Sequence, residues 1–133
     1  MARLYAWVIC AYRRKDLSEE AYHEYLSNHH SNVVKHHLAK SGMVSYSITH
    51  NTSETKAMTA RVLGDNPQTQ KSTADCDCLV QITFHDIEDY LKARNDPYYR
   101  DVIVPDHQHF ADSEKTVFFT GWVETFVVNG RVV

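Results

Sequence analysis

The sequence predicts an α+β fold, a ferredoxin-like βαββαβ chain with one four-stranded antiparallel sheet and its helices on one face. Three observations predict it. Four runs rich in aromatic and β-branched residues, at 4–13, 43–50, 76–84 and 116–128, read as strands. Two helical stretches, 16–42 and 86–96, fall inside the first and second halves of that series. The order is therefore β-α-β, a loop, then β-α-β, the split βαβ pattern. A chain of 133 residues suits one domain, 1–133.

Each element has its own justification. "LYAWVICAYR" (4–13) is aromatic and β-branched. In 16–42, Ala21, Tyr22, Tyr25, Leu26, Val33 and Val34 recur at helical spacing. Ser18 is the expected N-cap, Glu19 and Glu20 suit the positive helix end, and Gly42 is the stop. Asn28 to Asn32 is the weakest part, so a break or kink is expected there. "MVSYSITH" (43–50) alternates as a second strand. The polar stretch 51–75 reads as a mobile flap, with a short helix near 54–63 and a loop around Asn66-Pro67. "CDCLVQITF" (76–84) is the third strand, and a helix starts at Asp86. Pro97 marks another helix start and Pro105 a break. "TVFFTGWVETFVV" (116–128) closes the sheet.

One sheet with its helices on one side leaves its other face bare. Trp7, Val80, Phe84, Phe118 and Trp122 are too apolar to leave in water. Either a second subunit covers such residues or they wall an enclosed cavity between sheet and helices.

Composition narrows the function. The net charge is -3, which gives no electrostatic case for nucleic acid or an anionic membrane. No apolar run approaches the roughly 18–20 residues that cross a bilayer. The three cysteines, Cys10, Cys76 and Cys78, do not form a disulfide framework. No cleavable signal is seen, so a cytoplasmic protein with reduced thiols is expected. With four glycines there is no P-loop and no G-x-G-x-x-G, and no G-x-S-x-G elbow occurs. The expectation is no bound cofactor.

The nine histidines and eight tyrosines carry the chemistry. "YLSNHHSNVVKHHLAK" (25–40) holds two adjacent histidine pairs on a helix. Helical metal sites place ligands at i and i+3 or i+4. His23, His30 and His37, like His29 and His36, are separated by seven, which puts neighbours roughly 10 Å apart along the axis. With no H-E-x-x-H or C-x-x-C, no metal is expected, and His107-x-His109 is a weak signal alone. His23, His29, His36 and His37 read as surface polar groups.

The frame "LSEEAYHEYLSNHHSNVV", then "YSITHNTSE", "NDPYYRDVIVPDHQHFADSEK" and "VVNGRVV" resembles the EthD-like dimeric α+β barrel family. It is most similar to the fungal polyketide-tailoring decarboxylases and dehydratases. The resemblance covers nearly the whole chain. His30 falls on the family histidine, while Asn32 and Leu26 stand where the family has proline and tryptophan. The resemblance implies a homodimer and a cofactor-free lyase acting on an aromatic polyketide acid, such as an anthraquinone precursor.

Under that implication His30 carries the proton, because histidine gives or takes one near neutral pH. Asp106 or His50 orients it or partners it, and Tyr99 hydrogen-bonds a developing enolate oxygen. Trp7, Tyr12, Tyr22, Tyr46, Phe84, Phe110 and Trp122 are the candidate aromatic lining. Of Tyr98 and Tyr99, one is expected to pack. Decarboxylation is favoured over dehydration. The alternatives are a cofactor-free anthrone-type oxygenase, a polyketide cyclase, and a non-catalytic barrel that binds a small aromatic molecule.

Overall fold

Alternation along β1 (Leu4–Ala11) gives the two faces of the sheet different tasks. The computed structural model describes residues 2–133. β1 pairs antiparallel with β3 (Cys78–Phe84) and β4 (Val117–Val123), and β3 pairs antiparallel with β2 (Ser45–His50). The order β2-β3-β1-β4 is the expected ferredoxin-like sheet. Trp7 lies opposite Ile82 and Thr120, and Ile9 opposite Val80 and Phe118, so these side chains share one face. That face packs on the helices. One core cluster joins Val34 and Leu38 to Ile82, Phe84, Tyr90 and Ile103. A second joins Tyr22 and Leu26 to Ala11, Cys78 and Phe110.

The other face carries Val8, Cys10 and Leu79, with Phe119 opposite Val8 and Val117 opposite Cys10. Val117 and Phe119 are 56% and 55% exposed. Val8 is buried on this face, so its bare apolar part is Val117 and Phe119. Trp7, Val80 and Phe118 instead wall a cavity on the helix side, and Phe84 is core.

The first helical run does not break. α1 (Glu19–Tyr25) begins at Ser18, whose hydroxyl accepts from the Ala21 N–H. It passes through a π turn, Leu26–His30, into α2 (Ser31–Lys40). The expected break at 28–32 is a widened turn: the Ser31 N–H reaches the Leu26 carbonyl. Ser31 Oγ and Asn32 Nδ2 donate to the carbonyls of Ser27 and Asn28, at 2.7 and 2.9 Å. Poor helix formers thus stay helical by returning hydrogen bonds to the preceding turn. Gly42, at φ 87, ends the run.

The segment expected as a flap holds two helices, α3 (Ser53–Leu63) and α4 (Pro67–Ser72). Thr52 and Thr55 form a reciprocal cap at the start of α3, and Asn66 caps α4. None of their residues lines the cavity.

α5 (Ile87–Asn95) starts where expected, with the Asp86 carboxylate accepting from the Glu88 N–H. Beyond Pro97 the chain stays helical to residue 109: a π turn Tyr99–Ile103, α6 (Val104–Asp106) and a 3-10 turn His107–His109. Pro105 does not break it. The π turn shifts the preceding carbonyls, with Val104 N–H bonded to Tyr99 O, so the missing proline N–H is accommodated.

The last expected strand is shorter than 116–128. β4 ends at Val123, and β5 (Val127–Val128) and β6 (Arg131–Val132) make a separate hairpin. Asn129 and Gly130 turn it at φ 51 and 78, the positive-φ pair such tight turns require.

Candidate active site

Between sheet and helices lies a partly open cavity of about 270 Å3. Trp7, Ile9, Tyr46, Val80, Ile82 and Phe118 form its sheet wall. Val34, Leu38, Ile103 and Phe110 form much of the helix wall. The lining is mostly apolar, and its polar members are few and specific, as in small-molecule sites. They include His30, His107, Arg94, Tyr90 and Tyr99.

His30 sits at the end of the first π turn and is 7% exposed. Its Nδ1 lies 2.7 Å from Asp106 Oδ2. Asp106, just past the second π turn, is outside the lining and behind the His30 ring. Tyr25 Oη donates to Asp106 Oδ1 at 2.5 Å, and His29 Nε2 stands 3.5 Å from the same oxygen. The carboxylate is thus held on both oxygens. An ionised carboxylate only accepts, so the His30 hydrogen sits on Nδ1 and Nε2 keeps a basic lone pair. Phe110 and His107 flank the His30 ring, with centroids 4.6 and 5.1 Å away.

Electrostatics favour that charge state. Burial pushes the Asp106 carboxyl up, but the hydrogen bonds from Tyr25 and His30 outweigh it, and it ends below its usual range. Burial pushes His30 down, and the Asp106 hydrogen bond and charge offset only part of this, leaving it below its ordinary value. Burial also pushes His107 down, to about 4, so its imidazole is neutral at neutral pH. The arrangement is an uncharged base, oriented by a carboxylate, against an apolar cavity. Such a group can take a proton from a substrate and return it elsewhere.

The other expected residues divide. Trp7, Tyr46, Phe110 and Tyr99 line the cavity. Tyr12, Tyr22, Phe84 and Trp122 do not. Tyr12 Oη donates to Asp75 at 2.7 Å, away from the cavity. Tyr22 is fully buried against Cys78, and burial pushes that thiol up to about 11. Phe84 is 1% exposed and stacks on Tyr90. Trp122 is exposed beyond the helices, under the Arg3 guanidinium, and donates to Glu124. Of the pair, Tyr99 packs against the core and lines the cavity, whereas Tyr98 is exposed and donates its hydroxyl to the Val33 carbonyl.

His50 is not beside His30. Its Nδ1 meets His23 Nδ1 at 2.7 Å outside the cavity lining, and burial and His23 hold its pKa down. His37 is not a surface group either. It is buried, with Nε2 donating to the Ala93 carbonyl at 2.8 Å. His29 and His36 are exposed as expected. Among the described residues no three His, Cys, Asp or Glu side chains cluster as a metal site. No helix among them is long and apolar enough to cross a membrane.

Sequence reasoning missed Arg94 and Tyr90. Their spacing of four on one helix was the available signal, because it sets both on one face. His107 was weighed only as a metal ligand, and its neighbour Asp106 was the clue to its place.

The chain is thus a ferredoxin-like α+β domain with a histidine–carboxylate pair at an apolar cavity. The chain belongs to the EthD domain family, whose model matches residues 14–114. It is 36% identical over 125 residues to decarboxylase nsrE of Aspergillus novofumigatus, covering 94% of this chain and 81% of that protein. It is 35% identical over 131 residues to the conidial pigment biosynthesis dehydratase EthD of Metarhizium robertsii, covering 98% and 90%. Two solved structures share the fold. An EthD family protein from Bacillus halodurans matches with a TM-score of 0.60 at 13% identity, covering 92% of this chain and 99% of that one. A dimeric protein of unknown function from Bacteroides fragilis matches with a TM-score of 0.57 at 12% identity, covering 90% and 96%.

Proposed function

We propose that this chain is a cofactor-free lyase acting on an aromatic polyketide intermediate, such as an anthraquinone-precursor carboxylic acid, in secondary metabolism. The observation that carries this reading is the buried His30–Asp106 pair on the wall of an apolar cavity. The decarboxylase and dehydratase names of the relatives support it.

In loss of CO2, the electrons of the carbon–carboxylate bond pass to a ring ketone and form an enolate. His30 Nε2 takes the proton of the substrate acid or its phenol and returns it to the carbon that lost CO2. In loss of water, the same nitrogen takes a proton α to a ketone and delivers it to the departing hydroxyl. Asp106 holds the imidazole in one tautomer and stabilises its charged form. The apolar walls strip water from the carboxylate, which favours loss of CO2. In this reading Tyr99, which lines the same cavity, donates to the ketone oxygen.

The working form is a homodimer. The exposed Val117 and Phe119 on the bare face suit a second copy, and one fold neighbour is described as dimeric.

The test is turnover of an aromatic polyketide acid, with CO2 and water loss followed separately and oxygen uptake monitored. CO2 release that disappears in His30→Ala supports the reading. Oxygen uptake without CO2 release turns it to an oxygenase, and binding without turnover turns it to a carrier.

A further inference from the structure

Among the described residues, Arg94 is the only side chain of fixed charge in the cavity lining. Its guanidinium carbon sits 5.2 Å from the Tyr99 ring centroid, 5.7 Å from Trp7 and 5.8 Å from Tyr90. Three rings around one cation fix its position and leave its N–H fork unused by any carboxylate. No ion pair involves Arg94 among the described residues. Arg94 is exposed at the cavity, so its fork is open to an oxygen of a ligand that enters.

We propose that Arg94 is the oxyanion-binding group of this cavity and takes the enolate oxygen that forms when the substrate loses CO2 or water. The inference rests on the lyase reading and deepens it. Both reactions move an electron pair onto a ketone oxygen, so one group serves either. A cation already held by aromatic rings needs no reorganisation when that charge appears. The proton moves on His30, and Arg94 stays charged throughout.

The test uses alizarin, a hydroxyanthraquinone whose phenolate has its own visible absorbance. Bound to wild type, alizarin should ionise at a pH lower by about one unit or more than in buffer, as a cation within reach of a phenol dictates. Arg94→Gln should still bind the dye and lose that shift. Arg94→Lys, which keeps the charge without the fork, should retain part of it. An equal shift in wild type and Arg94→Gln overturns the proposal, as does Arg94→Lys behaving like free dye. Alizarin that fails to bind wild type, or ionises there as it does in buffer, overturns it too. The shift should persist in His30→Ala. A His30→Ala enzyme that still turns over sinks the acid–base reading and leaves this one standing.

Discussion

His30 Nδ1 meets Asp106 Oδ2 at 2.7 Å although 76 residues separate them along the chain. Each partner depends on a π turn: His30 ends the first, and Asp106 follows the second by three residues. A π turn adds a residue to one helical turn and swings the next turn to a new face. The contact between two helical runs is thereby also the contact between acid–base partners. Asp106→Asn keeps the shape and replaces an acceptor-only group by one that also donates. It frees the imidazole to adopt the wrong tautomer, so kcat should fall by about 10²–10⁴-fold. Turnover of the aromatic acid by Asp106→Asn against wild type checks this. A fall confined to KM would mean that the carboxylate only shapes the cavity.

The pH profile of kcat/KM reports His30 in the free enzyme. Burial holds its pKa below the ordinary histidine value, and Asp106 raises it part of the way back. His30 works as a base when neutral, so the acid limb should lie below about pH 6.5. Residual activity of Asp106→Asn should show that limb at still lower pH, because the raising influence is gone. An acid limb that moves upward in Asp106→Asn would contradict the assignment.

Much of the fold was legible because its signals are local. Ser18, Asp86 and the alternation of "SYSITH" act within a few residues, and the helices and strand appear where those signals put them. Pro105 and Asn28 to Asn32 misled for one reason: a π turn tolerates residues that an α-turn rejects, and single-residue preference does not register it. The Asn129-Gly130 turn was legible, but the apolar run around it concealed that the strand ends at Val123. At the site, the resemblance points to His30 and Asp106, and the structure brings the two together. His50 ends a strand near a helix histidine, and only three-dimensional placement shows that the two pair with each other. Face was the harder problem for aromatic residues. Trp7 and Trp122 lie on the same side of the sheet, yet helices cover only the first.

That difference is measurable. Trp7 walls the cavity and stacks on Phe118 at 5.2 Å, whereas Trp122 is 55% exposed. Trp7→Leu should raise KM for an aromatic substrate, and Trp122→Leu should leave KM unchanged. His50→Gln, outside the lining, should also leave kcat/KM unchanged. Steady-state kinetics of the three variants check this, and a Trp122→Leu effect on KM as large as that of Trp7→Leu would mean the wall is misassigned.

Phe84 separates core from site in the other direction. It is 1% exposed, packed on Tyr90 and Tyr5, and absent from the cavity wall. Phe84→Ala leaves a void that its strand neighbours cannot fill, at a cost of about 3–5 kcal/mol. The urea midpoint should fall accordingly. Phe84→Leu, which fills most of the volume, should keep KM within error of wild type. A raised KM in a stably folded Phe84→Leu would restore Phe84 as a substrate contact.

His107 makes stability depend on pH. Its folded pKa is pushed down to about 4, first by burial and then by the nearby His30. The unfolded chain has an ordinary histidine, near 6.5. Between those values the unfolded state binds a proton that the folded state refuses, so stability is present above about pH 6.5 and is lost as pH falls towards 4. Full loss from this one group is about 3 kcal/mol, because a tenfold change in proton affinity is worth about 1.36 kcal/mol. His107→Gln carries no titrating ring and should remove that part of the acid sensitivity. Urea unfolding at pH 7 and pH 4.5 checks this. The wild type should lose more stability than His107→Gln over that interval, and equal losses would mean that His107 is hydrated in the folded protein.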